Sequence, residues 1–490
     1  MNYLMLLCIL LPVLAGVLMP AFPCLKREGC RRIYLVAVLI LNLLMALAIC
    51  LTPHLRLQLL SLTPKMPILL KSDGLSRFFA LLVGSMFLLA GIYSLEYMKD
   101  DPHRERFYVF YLVVLGTLNG IAYAGNLITL YLFFEGMTLL SVPLVLHNLT
   151  KEAVAAAFKY LFYSIAGASL ALIGIFYIYI DSNNLEFTAG GALDTSAVAG
   201  QETTLLVVSL LAVIGFAAKA GMFPLHAWLP DAHPVAPAPA SAILSGVITK
   251  AGVVAIIRFV YFTVGPDLLR GTWMQYAWIS LALLTVVMGS MLAYQEPLLK
   301  KRLAYSSVSQ VSYILFGLAT LTVGGVVGAL LHMMFHSIIK DALFMVAGAI
   351  PSPTEPVAVS QLRGIGRKMP VTLGCFALVS IALVGIPPTG GFLSKWHLSM
   401  GSLSSQSGVF DWLGPAVLLF SALLTAGYLF PIAIRGFFPG SEGEDSALEQ
   451  REPGILMLAP MVILAAASLV LGVFPEQWMA ALNHLAEQMA

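Results

Sequence analysis

The chain is organised as long apolar runs separated by short polar joints. A helix needs about 20 mostly apolar residues to cross a bilayer. Fourteen such runs are predicted, over 2–20, 32–52, 75–95, 106–126, 127–147, 153–180, 203–223, 238–264, 272–293, 301–319, 322–350, 370–405, 411–436 and 454–474. The twelfth is interrupted by "GIPPTGG", and the seventh runs into "KAGMFPLHAWLP". The first run lacks a basic leader and a small-residue cleavage site, so it is expected to remain as a helix. Between the runs, "SLTPKMPILLKSDG" (61–74) suggests a small hairpin, and "EQWMAALNHLAEQMA" suggests one or two amphipathic turns. The pattern predicts an all-α polytopic membrane protein with about 14 transmembrane helices and no soluble domain.

Composition strengthens this reading. Of 490 residues, 59% are hydrophobic and 11% charged. The surface of a soluble domain this long would need more polar residues. The five cysteines (Cys8, Cys24, Cys30, Cys50, Cys375) form no C-x-x-C or iron–sulfur spacing, so no redox centre or cofactor is expected. The net charge of +2 is uninformative, but its distribution is not. Sixteen lysines and arginines fall on alternate joints and six on the others, while the loop "DSNNLEFTAGGALDTSAVAGQE" has none. Basic residues concentrate on the cytoplasmic side, which puts both termini outside.

Five lysines lie within the runs: Lys159, Lys219, Lys250, Lys340 and Lys395. Glu135 is their clearest acidic counterpart, and Asp341 beside Lys340 is a second candidate. A charge at the bilayer centre costs about 3 kcal/mol on insertion scales, so each needs a reason. Lysine gives up its proton readily when desolvated, whereas arginine effectively never does. A Glu–Lys pair of adjustable separation is therefore a proton switch, with Glu135 and Lys219 the candidates. The static alternative, a snorkelling side chain or a structural ion pair, weighs most for Lys159 near its helix end.

Gly221 and Pro224 follow Lys219, and Gly385, Pro387, Pro388, Gly390 and Gly391 precede Lys395. Broken membrane helices are tolerated where the break lines a wet cavity or is buried in protein. Two such breaks, in helices 7 and 12, suggest inverted repeats with an ion route near the midplane; two unrelated kinks are the alternative. His332, His336 and Lys340 recur at every fourth position, along one stripe of a helix. Two histidines at that spacing can ligate a metal, but no third ligand accompanies them, so a proton relay is preferred and no metal site is expected. Ser307, Ser309, Gln310 and His226 are weaker candidates to extend it. The expected route runs from Lys250 to His332 or His336, then to Lys340 and Lys395, with a dry gap at rest between Lys250 and the stripe.

The stretches "KAGMFPLHAWLPDAHPVAPAPASAILSGVITKAG", "FFEGMTLLSVPLVL", "FKYLFYSIAGA" and "GIPPTGGFLSKW" resemble the antiporter-like membrane subunits shared by respiratory complex I, Mrp-type cation/proton antiporters and membrane-bound hydrogenases. The resemblance covers about residues 70–435, and "HAWLPDAHPVAPAPASAILSG" is most similar to the Mrp and hydrogenase type. It implies two inverted five-helix repeats, at 106–264 and 272–436, after N-terminal helices in 1–105 and before a last helix and tail in 454–490. It implies that Glu135 matches the fifth-helix glutamate, Lys219 its partner on broken helix 7, and Lys250 the central lysine of helix 8. It further implies that Lys159 matches a sixth-helix lysine, that His332, His336 and Lys340 match polar positions of helix 11, and that Lys395 matches the ionisable residue of helix 12.

The function so implied is proton translocation, with Na+/H+ exchange as a variant, inside a multi-subunit complex of the bacterial or archaeal cytoplasmic membrane. Expected partners are homologous and small membrane subunits, lipid, and a hydrogenase or dehydrogenase peripheral arm, but no nucleic acid. A stand-alone proton-driven carrier of an organic solute is the alternative. A quinone- or haem-handling enzyme is disfavoured for want of metal motifs.

Overall fold

The computed structural model describes residues 1–63, 65–181, 185–194, 196, 200–350, 357–440 and 451–490. Its helices follow the apolar runs closely. They are α1 (Tyr3–Leu18), α2 (Glu28–Cys50), α3 (Gly74–Tyr97), α4 (Arg104–Ala122), α5 (Leu127–Val145), α6 (Lys151–Asp181), α7 (Glu202–Ala220) and the short α8 (Leu229–Val235). After these come α9 (Ala238–Val264), α10 (Trp273–Gln295), α11 (Leu299–Ala319), α12 (Val323–Ala349), α13 (Pro370–Val384), α14 (Gly390–Leu403), α15 (Phe410–Phe437), α16 (Ile455–Val473) and α17 (Glu476–Met489). Several starts are fixed by side-chain caps: Asp73 accepts from Ser76 N (2.9 Å), Asn126 from Thr129 N (2.8 Å) and Thr322 from Gly325 N (3.1 Å).

Among the described residues, eleven helices are long and apolar enough to cross a membrane. A twelfth span arises if the bent pair Val359–Arg367 and Pro370–Val384 is counted together. The chain is thus a polytopic membrane protein. The difference from the expected fourteen lies in α4 and α11, which open on "RER" and "LKKR", and in α13 and α14, each of which is shorter than a crossing helix.

A hairpin exists, but it starts earlier than the sequence suggested. Strand β1 (Arg56–Thr63) pairs antiparallel with β2 (Met66–Lys71). The tail forms more than one or two turns: α17 is a 14-residue helix that buries Leu482, Leu485, Ala486 and Met489. Those positions follow helical spacing, so packing against the body completes the helix.

Helices α9 and α12 form the centre. Every residue of α9 is buried, and only a few of α12 are not. Small residues let neighbouring helices close on each other, as lipid-embedded packing favours. A Cβ on Gly215 of α7 would lie 2.4 Å from Gly167 O of α6. Likewise a Cβ on Gly401 of α14 would lie 2.2 Å from Gly325 N of α12. The first contact closes α7 on α6, and the second closes α14 on the central α12.

Candidate functional site

The first break is terminated by Gly221, whose φ of +84° favours glycine and ends α7 two residues after Lys219. The chain then folds back, and Trp228 Nε1 donates to Ala218 O (2.9 Å). Lys219 is buried in the last turn of α7. Its Nζ donates to Tyr160 Oη (2.8 Å) and Ser164 Oγ (3.3 Å) on α6, and lies 4.4 Å from the centre of the Tyr160 ring. Tyr160 Oη is in turn 2.7 Å from Ser141 Oγ of α5. Glu135, also on α5, is electrostatically coupled to Lys219, but no described ion pair joins them. Its Oε1 is buried without a hydrogen-bond partner. The pair suggested by the sequence is therefore near but open, with hydroxyls holding the ammonium.

In the centre, α9 loosens into a π turn at Leu244–Ile248. Such a turn shifts backbone hydrogen bonding and frees carbonyls. Ser245 O accepts from both Thr249 Oγ1 (2.9 Å) and Lys250 Nζ. Lys250 Nζ is also 2.6 Å from His336 Nδ1 on α12. The expected dry gap between Lys250 and the α12 stripe is thus absent, because close packing of α9 on α12 brings the two side chains into direct contact. From His336 the line continues to His332, ring centres 6.0 Å apart. His332 Nδ1 meets Ser394 Oγ of α14 (2.9 Å), and its ring stacks on Tyr313 of α11 (5.2 Å). Lys395 Nζ lies 5.2 Å from the Tyr313 ring centre and donates to Leu383 O (2.7 Å) and Val384 O (2.9 Å). Those carbonyls belong to the end of α13, left free by the second break at Gly385 (φ +88°).

The spatial order is therefore Lys250, His336, His332, Ser394 with Tyr313, then Lys395. Lys340 does not stand between the histidines and Lys395, as the sequence suggested. It lies one turn beyond His336 in the other direction and donates to Leu303 O (3.0 Å). Ser307 joins the centre through Ser245 Oγ (2.7 Å). Gln310 is buried beside this line, with neither amide atom hydrogen-bonded. Lys159 stands apart in an ion pair with Asp231 (2.6 Å), each more than a third exposed. That pair lines a cavity of about 530 Å³ with Glu152 and Lys301. His226 is half-buried in the loop after the first break, 6.0 Å from the Phe223 ring.

The sequence reading missed Tyr160, Ser164, Tyr313 and Ser394. Hydroxyls are common along the chain, and nothing in their spacing singles these out. Nor did the sequence reading single out Arg258, counted there only among the six basic residues of the outer side. Arg258 is buried at the end of α9, donates to Asp73 Oδ1 (2.9 Å) and Ser76 Oγ (2.9 Å), and lies between the rings of Phe187 and Phe262. Among the described residues, no group of three or more His, Cys, Asp or Glu is placed to hold a metal ion.

A multi-pass helical body with a line of buried lysines and histidines between two broken helices defines an integral membrane protein with ionisable side chains through its core. Residues 124–425 match the family described as NADH:quinone oxidoreductase/Mrp antiporter, TM, and residues 62–108 match the N-terminus of NADH-ubiquinone oxidoreductase (complex I) chain 5. The chain belongs to this family of antiporter-like membrane subunits. It is 34% identical over 423 residues to NADH-quinone oxidoreductase subunit N of Desulforudis audaxviator, covering 83% of this chain and 82% of that protein. It is 28% identical to an Na(+)/H(+) antiporter subunit of Alkalihalophilus pseudofirmus, covering 97% and 95%. Its fold is similar to that of a chain in the Mrp complex from Dietzia sp., with a TM-score of 0.85, 23% identity and coverage of 100% and 97%.

Proposed function

We propose that this chain is a proton-translocating subunit of a multi-subunit complex in the prokaryotic plasma membrane, with Na+/H+ exchange as a variant of the same chemistry. The observation that carries the reading is the direct contact of Lys250 Nζ with His336 Nδ1, 2.6 Å, between two fully buried side chains on the central helices. It joins the two halves of the molecule by groups that can each bind and release a proton. Lys219 with Glu135 forms the switch at one end, and Lys395 forms the other end. Lys340, Lys159, His226, Ser307 and Gln310 are supporting positions. The relatives are subunits of larger assemblies, which favours partner membrane subunits over a stand-alone solute carrier. A hydrogenase or dehydrogenase arm is a further candidate partner.

In this reading fourteen segments cross the membrane: the eleven apolar helices, α4, α11 and the interrupted α13–α14 pair. Two five-segment repeats, 106–264 and 272–436, run in opposite senses, flanked by 1–105 and 454–490. The matching left-handed glycines Gly221 and Gly385 at the two breaks support this assignment. Both termini face outside. The test has two arms. Glu135→Ala or Lys219→Ala in the reconstituted native assembly is expected to abolish ion-coupled flux at normal assembly, and native flux in both variants defeats the reading. In a background without exposed Cys24 and Cys30, Lys301→Cys should react only from the cytoplasm and Gly190→Cys only from outside. The reverse labelling overturns the sidedness and the repeat assignment together.

A further inference from the structure

Asp341 has no place in the line from Lys219 to Lys395, yet it is the most demanding group in the core. It is fully buried on α12, and neither carboxyl oxygen has a hydrogen-bond partner. A buried carboxylate without donors is strongly disfavoured, so a stable protein keeps one only where it is neutral or where a cation comes to it. The site around it is shaped to admit it. A Cβ on Gly246 would lie 1.8 Å from Asp341 Oδ1, so only glycine at that point of the π turn leaves room for the carboxyl. One turn earlier on α12, Ser337 Oγ donates to Gly246 O (2.5 Å), which fixes the π turn against this stretch of helix. The same π turn gives Lys250 its carbonyl at Ser245, and Lys250 is the cation electrostatically coupled to Asp341.

We propose that Asp341 is the acid partner of Lys250, a second acid–lysine switch on the central axis that gates transfer to His336; the proposal rests on the proton-translocating reading above. In the proposed resting state, the Asp341 carboxyl carries a proton and the Lys250 ammonium donates to Ser245 O and His336 Nδ1. Lys250 passes one proton to His336, leaving a neutral amine and an imidazolium. The amine turns to Asp341 and takes the carboxyl proton, giving an ammonium–carboxylate pair and breaking its contact with His336. Total charge is unchanged, and the imidazolium is free to pass its proton towards His332. Uptake of one proton by the Asp341 carboxylate releases Lys250 to return. The other titratable or charged groups on the elements packed around Asp341 are Tyr111 on α4, Tyr93 on α3, His233 on α8, Lys300 on α11, and His336 and Lys340 on its own helix. His233 stacks on Phe344 (4.4 Å) with both ring nitrogens unpartnered.

The experiment compares the native assembly with its Asp341→Asn, Asp341→Glu and Lys219→Ala variants in sealed vesicles. It measures assembled complex, proton flux across a pH series, and the infrared carbonyl band of protonated carboxylic acids. Asp341→Asn is expected to assemble, to lose at least about tenfold in flux, as removal of a proton-transfer group does, and to lose one carboxylic-acid band. Asp341→Glu is expected to retain part of the flux with a displaced pH profile. Native flux and an unchanged band in Asp341→Asn, with Lys219→Ala inactive, overturns this proposal and leaves the translocation reading standing. Native flux in both Asp341→Asn and Lys219→Ala overturns both. If Asp341→Asn fails to assemble, the glutamate variant decides: a displaced pH profile supports the switch, and an unchanged profile overturns it.

Discussion

The two broken helices use one backbone device to hold lysine in different ways. In the first, Lys219 precedes Gly221 and is held by the hydroxyls of Tyr160 and Ser164, with Glu135 within electrostatic range. In the second, Lys395 follows Gly385 and is held by the free carbonyls of Leu383 and Val384. A hydroxyl can donate or accept, so it accommodates either an ammonium or an amine; a carbonyl only accepts and favours the ammonium. In the proposed function the first site is the one that changes its protonation state under the influence of an acid. In the same reading the second holds charge at the end of a helix. The two breaks share a left-handed glycine and are unlike in chemistry, and a transport direction needs such asymmetry.

The largest effect should come from removing the joint between the halves. Lys250→Met is expected to reduce proton flux in reconstituted assembly to the level of empty vesicles, because a thioether cannot pass a proton. His336→Gln should leave measurable flux, since an amide still organises water; near-native flux in Lys250→Met would mean that each half conducts alone. The sharper test of the comparison is an exchange of cation type. Lys219→Arg should be as inactive as Lys219→Ala, because arginine keeps its proton. Lys395→Arg should retain a clear fraction of native flux, since guanidinium also donates to carbonyls. Equal loss in both arginine variants would show that the two lysines do the same work.

A smaller effect is expected at the breaks. Gly221→Ala and Gly385→Ala force an L side chain into left-handed backbone, costing about 1–2 kcal/mol each, readable as a lower thermal midpoint of the purified assembly. The added methyl at Gly385 also meets Lys395 Cδ at 2.9 Å, whereas at Gly221 it meets Leu229 Cδ1 at 2.7 Å. Flux should therefore fall further in Gly385→Ala than in Gly221→Ala.

The smallest effect concerns the anchor of the first half to α3. Burial alone would raise the Asp73 carboxyl, but the Arg258 guanidinium and the Ser76 donors outweigh it and hold the group below the ordinary aspartate range. A depressed folded value means that the stabilisation is complete above the unfolded value, about pH 4, and is lost as pH falls through the folded one. The thermal midpoint of the native assembly should drop over that acid window, and Asp73→Asn should flatten the drop. An unchanged slope would remove this ion pair from the account.

The sequence alone determined the membrane class, the helix limits to within a few residues, both breaks and four buried lysines, while the fifth, Lys159, proved part-exposed in an ion pair. Apolar runs are long, and a charge or proline inside one is conspicuous, so these features need no knowledge of neighbours. The number of crossing segments was less legible, because α4 and α11 spend part of their length on charge and hydroxyls and are less apolar than the eleven clear spans. Only the tertiary structure decided that Lys250 touches His336, that Lys340 lies off the line, and that Tyr160 and Ser394 meet a lysine and a histidine across helix interfaces. It also paired Arg258, at the end of α9, with Asp73. Such contacts join residues from 59 to 185 positions apart, as with Tyr160 and Lys219 or Asp73 and Arg258. Periodicity along one helix reports which face a residue occupies, but the partner on the next helix is set by how the two surfaces pack.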